Sequence, residues 1–188
     1  YVQPGVKATD ASIQQLYEAA TNYASASITY NTRSGDVVLD GSTLITWLSI
    51  DENGNYYRDD AVFKEKATDF VSDLAKKINS VGGTRTFVGA NNRTITVSGG
   101  NYGLRLQNSK EVTGLLEDIY ANKVTTRTPV TTGGDAGGEN GGLGNTFVEI
   151  DLTGQHMWYH KNGTIILESD IVSGTYNNPE RRTPAGTY

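Results

Sequence analysis

A chain of 188 residues, 36% hydrophobic and 20% charged, has the composition of a globular protein and can hold one domain or two small ones. Its sixteen Lys and Arg are scattered and outnumbered by twenty-one Asp and Glu, for a net charge of −5, which argues against a nucleic-acid partner because phosphate binding needs concentrated basic residues. There is no cysteine, so disulfides, zinc-thiolate sites and a thiol nucleophile are excluded within these residues.

The first residue is Tyr1, and any export signal or membrane anchor would lie upstream of it. No apolar run approaches the roughly 20 residues that span a bilayer. Thr9 or Asp10 can cap a helix over 11–24, with Ile13, Leu16, Tyr17 and Ala20 on one face. Ser27 to Tyr30 and Asp36 to Leu39 are β-rich runs around a loop closed by Gly35, a predicted hairpin. Asp40 and Ser42 offer caps for a short helix carrying Leu44, Ile45 and Leu48. The longest predicted helix is 60–79, where Phe63, Ala67, Phe70, Val71, Leu74 and Ile78 make an apolar stripe and Lys64, Lys66, Lys76 and Lys77 take the wet face.

Three β-like segments follow near 84–89, 93–98 and 102–107. Asn108 with Glu111 three residues on reads as a capping box opening a helix through Val112, Leu115, Leu116 and Ile119. Residues 1–124 therefore read as an α+β domain, with helices covering one face of an antiparallel sheet. From 125 to 145 the apolar pattern vanishes and seven glycines gather between Gly133 and Gly144, the composition of a flexible linker. Beyond it the period changes to two: Val148, Ile150 and Leu152 share a face, and Glu149 and Asp151 point the other way. Thr153-Gly154 and Asn162-Gly163 turn this strand into an all-β three-stranded meander over 146–173, followed by a polar loop and a strand start at 184–188.

Candidate sites are sparse. His156 and His160 have a zinc-like spacing on a helix, but on a strand they stand roughly 13 Å apart at about 3.3 Å per residue, too far to share an ion. They read as surface positions beside Trp158. Asp51-Glu52-Asn53-Gly54-Asn55 begins like a calcium loop, yet Tyr56 stands where the turn glycine belongs and Val62 where the bidentate Glu belongs, so it reads as a solvated turn between two helices. Asp69 and Asp73 are one turn apart on a wet helix face, and Gly133 to Gly144 lacks the Lys-Ser/Thr of a phosphate loop. No catalytic residue, metal site or cofactor is expected among the 188 residues, and the substrate-binding residues are unassigned.

Val148-Glu149-Ile150-Asp151-Leu152, Gln155-His156-Met157-Trp158, Lys161-Asn162-Gly163, Val172-Ser173-Gly174 and Thr183-Pro184-Ala185-Gly186 closely resemble the opening of the YkuD-type catalytic domain of the L,D-transpeptidases. Arg85-Thr86-Phe87, Asn101-Tyr102-Gly103 and Arg127-Thr128-Pro129 resemble the recurring marks of the peptidoglycan-binding domain that precedes it in Gram-positive members, and Tyr1 to Asp10 resembles the tail of a preceding copy or linker. One departure is Leu104, where the family usually has Trp after Tyr-Gly. The resemblance implies peptidoglycan stem peptides as partners, an extracytoplasmic, wall-associated location, no cofactor, and a cysteine nucleophile with its histidine beyond Tyr188. That cysteine attacks the donor stem peptide, and the acceptor's side-chain amine resolves the acyl-enzyme. These residues are then expected to be an inactive portion of such an enzyme, with residues 146–188 pairing with a neighbouring molecule through an unpaired strand edge or poorly ordered. The alternative is a non-enzymatic wall-binding or scaffold module, and the plainest reading is an α+β domain of unassigned role.

Overall fold

The computed structural model describes residues 10–134, 139–175 and 177–183. In chain order, the first elements are α1 (Ala11–Tyr23), β1 (Ser27–Thr32), β2 (Gly35–Leu39), α2 (Gly41–Leu44), β3 (Ser49–Ile50), β4 (Tyr56–Tyr57) and α3 (Asp60–Ile78). Then come β5 (Arg85–Val88), β6 (Thr94–Val97), β7 (Arg105–Leu106), α4 (Asn108–Tyr120), β8 (Val124–Thr126), β9 (Thr131–Thr132), β10 (Phe147–Asp151), β11 (His156–Lys161) and β12 (Thr164–Asp170). The mixture is α+β. Among the described residues no helix is long and apolar enough to cross a membrane.

Two units share the chain, each assembled from two stretches: unit 1 from Tyr1–Asn79 and Leu106–Thr132, unit 2 from Ser80–Arg105 and Gly133–Tyr188. Sequence pattern suggests a single boundary within 125–145. The fold instead gives the 80–105 segment to the same unit as the C-terminal sheet, a pairing between distant segments that no local pattern encodes.

Unit 1 follows the sequence reading closely. Asp59 caps α3 by accepting hydrogen bonds from the N–H groups of Ala61 and Val62, while Asp60 in the first turn and Lys76 and Lys77 in the last complement the helix dipole. The α3 stripe buries Phe63, Ala67, Val71 and Leu74 against Ile28 and Tyr30 of β1, Leu39 of β2, Leu44 of α2, Trp47, and Leu115 and Ile119 of α4. Each such large apolar side chain contributes about 1.5–3 kcal/mol by leaving water. Trp47 meets Phe63 edge to face at 5.5 Å. On α1, by contrast, Ala19 is the buried position and Tyr17 is exposed.

Three local expectations change. Asp51 to Asn55 turns between β3 and β4, not between two helices, and the Asp51 carboxylate accepts the N–H groups of Asn53 and Asn55. Asn108 is the first residue of α4 and Gln107 precedes it without a side-chain cap; Glu111 turns inward and is fully buried, so there is no capping box. Thr125 and Thr126, expected as linker, continue from Val124 as β8, which pairs parallel to β1 in the order β2-β1-β8.

In unit 2, β10, β11 and β12 form the expected antiparallel meander, and β5 and β6 form a separate hairpin. Asn162 and Gly163 both take positive φ (51° and 79°), as the tight turn between β11 and β12 requires. Residues 139–145 lie within the stretch whose composition resembles a flexible linker, yet they form a hydrogen-bonded turn on the β5–β6 hairpin. Asn140 Oδ1 accepts the Val88 N–H at 2.7 Å, Arg85 donates to the Gly141 carbonyl, and Tyr102 Oη donates to that of Gly142. Here glycine serves close approach as well as a positive φ: a Cβ on Gly141 would sit 2.3 Å from the Thr86 carbonyl oxygen.

Candidate functional site

Strand β10 alternates as the sequence implies, with an unexpected sense. Val148, Ile150 and Leu152 are exposed, whereas Glu149 on the opposite face is only 7% exposed. What covers Glu149 is the turn of the β5–β6 hairpin. Its Oε2 accepts the Ala90 N–H at 2.6 Å, and its Oε1 pairs with Arg93 at 2.9 Å; Arg93 also reaches Asp151 Oδ2 at 3.2 Å. These carboxylates hold the Arg93 guanidinium above its ordinary range, Glu149 being the stronger cause. Gly89 makes room for the arrangement, since a Cβ there would lie 2.4 Å from Glu149 Oε2.

His160 faces this carboxylate from β11. It pairs with Phe147 across the strands and stacks on that ring at 4.2 Å, nearly parallel. The expectation of a surface histidine is corrected here: His160 is 6% exposed, because its own strand and the Phe147 ring enclose it. Its Nε2 is buried, 3.6 Å from Glu149 Oε2, and makes no hydrogen bond. The other histidine, His156, does lie on the outer part of the sheet beside Trp158 (4.6 Å between rings). A hydrogen bond at 2.8 Å from Nδ1 to Asp170 raises its pKa, with Glu168 adding to the effect. Trp158 Nε1 donates to Glu168 at 3.0 Å. Among the described residues no three His, Cys, Asp or Glu are grouped to hold a metal ion.

The remaining candidates are ordinary. Asp69 is exposed, and Asp73 pairs with Lys76 on the wet face of α3. Arg85 packs over the Tyr102 ring at 4.9 Å and donates to the Ser80 and Tyr102 carbonyls, with Gly103 leaving the space it fills. Arg127 binds Glu111 and Asp118, and Glu111 also accepts Tyr30 Oη at 2.8 Å and the Val130 N–H at 2.6 Å. Burial, and then the Glu111 hydrogen bond, push the Tyr30 phenol far up. Burial alone would lower the Arg127 guanidinium, but its bonds to Glu111 and Asp118 outweigh that and raise it. The recurring marks around Arg85, Tyr102 and Arg127 thus work as packing and charge-pairing devices. Of Thr183-Pro184-Ala185-Gly186, residues 184–186 lie outside the described residues, as do the strand start at 184–188 and residues 1–9.

Two solved structures are similar to this architecture over nearly the whole chain. The carbamoyl enzyme of Ldtfm with avibactam superposes at a TM-score of 0.61 and 30% identity, covering 93% of this chain and 65% of that one. A cysteine-to-serine mutant of Enterococcus faecium L,D-transpeptidase gives 0.57 and 29% identity, covering 94% of this chain and 66% of that one. The chain has an L,D-transpeptidase-like fold. It spans just under two thirds of the length of these neighbours. No protein-family model matches it, and no curated protein does.

Sequence reasoning missed the Glu149–Arg93 clamp and the burial of His160. The one available signal was a carboxylate between apolar neighbours on β10, and alternation alone assigns it to water.

Proposed function

We propose that these residues form the wall-binding and sheet-building part of a peptidoglycan L,D-transpeptidase that acts outside the cytoplasm, with the cysteine nucleophile supplied from outside this sequence. The observation that carries the reading is the 30% identity maintained over 93% of the chain with an L,D-transpeptidase structure. Two facts limit the chemistry to the wider protein: the 188 residues contain no cysteine, and both histidines are engaged in or beside carboxylate contacts within the sheet. On this reading wall binding falls to residues 1–124, by the resemblance of Arg85-Thr86-Phe87 and Asn101-Tyr102-Gly103, and residues 146–188 supply the first strands of the catalytic sheet.

The test compares this chain with a version extended to the length of the neighbours. Extended protein is expected to cross-link tetrapeptide stems and to gain the mass of a carbamoyl adduct with avibactam; the 188-residue chain is expected to do neither. Turnover by the 188 residues alone would overturn the assignment. Retention of this chain on insoluble peptidoglycan, with no turnover by the extended protein, would favour the non-enzymatic scaffold reading, which the missing cysteine also supports.

A further inference from the structure

Asparagine is followed by glycine three times in this chain, at Asn53-Gly54, Asn140-Gly141 and Asn162-Gly163. In such a pair the glycine has no Cβ to block approach of its backbone nitrogen to the asparagine side-chain carbonyl carbon, and closure of a five-membered ring makes the asparagine labile. Local sequence treats the three pairs alike. The structure does not.

Asn140 is clamped by its own carboxamide: Oδ1 accepts the Val88 N–H at 2.7 Å, and Nδ2 donates to the carbonyls of Val88 at 3.4 Å and Gly144 at 3.3 Å. Asn162 is exposed, and its carboxamide makes no hydrogen bond to a described residue. Its backbone is pinned from a distance, however. The Asn162 N–H donates to Thr146 Oγ1 at 3.1 Å, and the Gly163 N–H, on the nitrogen that would attack, donates to the Asn145 carbonyl at 2.7 Å. Asn53 is exposed together with all of Asp51 to Asn55, and its carboxamide likewise makes no hydrogen bond to a described residue. The bonds that hold its backbone stay inside the turn: Asp51 accepts the N–H of Asn53 at 2.9 Å through its side chain and that of Gly54 at 3.0 Å through its carbonyl. The flanking strands β3 and β4 have two residues each. A hairpin this short, held by local bonds, opens at low free-energy cost. Among the described residues nothing beyond its chain neighbours lies within 4 Å of where a Gly54 Cβ would be, so the ring has room.

We propose that Asn53 is a self-modification site, at which the Gly54 nitrogen displaces ammonia and the chain acquires an aspartate or an isoaspartate. The nitrogen bonds to Asn53 Cγ, the Cγ–Nδ2 bond breaks, and the proton released from the Gly54 N–H leaves with Nδ2 as ammonia. Water then opens the succinimide. Opening at Cγ returns the ordinary main chain with an aspartate side chain, and opening at the main-chain carbonyl routes the chain through the side chain as isoaspartate. Both products add a carboxylate beside Asp51 and Glu52, and water is the only co-reactant. Isoaspartate also lengthens the turn by a methylene, which loosens the β3–β4 pairing. The site is independent of the cross-linking chemistry proposed above, and its failure would leave that reading untouched.

The experiment ages the full chain in mildly alkaline buffer, folded and in urea, digests it with pepsin in acid and follows the three Asn-Gly peptides by mass spectrometry, with chromatographic separation of aspartate from isoaspartate. In the folded chain Asn53 is expected to convert about tenfold faster than Asn162, the worth of one further backbone hydrogen bond to be opened, and Asn140 to stay intact. In urea the three should convert at similar rates, which assigns the order to the fold. Asn53→Gln, at an exposed side chain without partners, should keep the fold and abolish the conversion. Faster conversion at Asn140 or Asn162 in the folded chain, the same order persisting in urea, aspartate without isoaspartate at position 53, or conversion unchanged in Asn53→Gln would each overturn the proposal.

Discussion

The two units solve the same problem of cohesion by opposite means. Unit 1 is closed by apolar burial: Tyr30, Phe63, Ile28, Leu39, Leu44, Leu74, Leu115 and Ile119 are all essentially removed from water, and its charged network around Glu111 is built onto that core. In unit 2, among the described residues, the large side chains withdrawn from water are Glu149 and His160, while Val148, Ile150, Ile166 and Leu167 are exposed. Its cohesion rests on strand ladders, the Glu149 clamp and the Arg85 knot. Similar strand patterns can therefore lead to opposite burial: alternation says that two faces differ, and the partner segment decides which face is covered.

Removing the largest fully buried side chain of unit 1 that has no polar atom should give the largest effect. Phe63→Ala is expected to cost about 3–5 kcal/mol, because the surrounding core relaxes only partly into the cavity. The chain has two tryptophans, Trp47 in unit 1 and Trp158 in unit 2, so urea unfolding can be followed in each unit with single-tryptophan variants. The expected loss appears in the Trp47 transition. An equal shift in the Trp158 transition would break the contrast by making the units one cooperative body.

Arg127→Ala leaves Glu111 buried without its cation and should cost about 3 kcal/mol, again seen through Trp47. A loss well below 1 kcal/mol would mean that the Tyr30 hydroxyl and the Val130 N–H suffice to hold the carboxylate. In unit 2, Glu149→Gln keeps the shape but removes the charge facing Arg93, and a loss of about 1.5–3 kcal/mol is expected in the Trp158 transition. Gly89→Ala should act in the same direction, because its Cβ would collide with that carboxylate. If neither substitution moves the Trp158 transition, the clamp is not what holds the hairpin to the sheet.

The smallest effect is the pH dependence of His156. Its pKa is raised above the ordinary 6.5 by Asp170, so its contribution to stability is complete below that ordinary value and is lost as pH rises through the raised folded one. Asp170→Asn should return the ring titration toward 6.5, as followed by its proton NMR signals. An unchanged titration would assign the shift to Glu168.

The longer elements were legible from local pattern. A capped stripe at Asp59 to Ile78, an Asn-Gly turn at 162–163 and the period-two run at 147–152 each carry their instructions within a few residues, because helix caps, left-handed turns and strand alternation are short-range physics. The candidate site was far less legible. Glu149 and Arg93 are 56 residues apart, and the Ala90 N–H that completes the clamp is 59 residues from the same carboxylate. Glycines at 141–144 read as slack until the Thr86 backbone and the Tyr102 hydroxyl occupy the space beside them. By itself the sequence determined the longer helices, the meander strands and that β10 has two unlike faces, since those follow from neighbours along the chain. Only the tertiary structure decided that the acidic face of β10 turns inward and that residues 80–105 belong to the same unit as the C-terminal sheet. That choice depends on the balance between desolvating a carboxylate and pairing it, and it is settled by a partner that arrives from elsewhere in the chain.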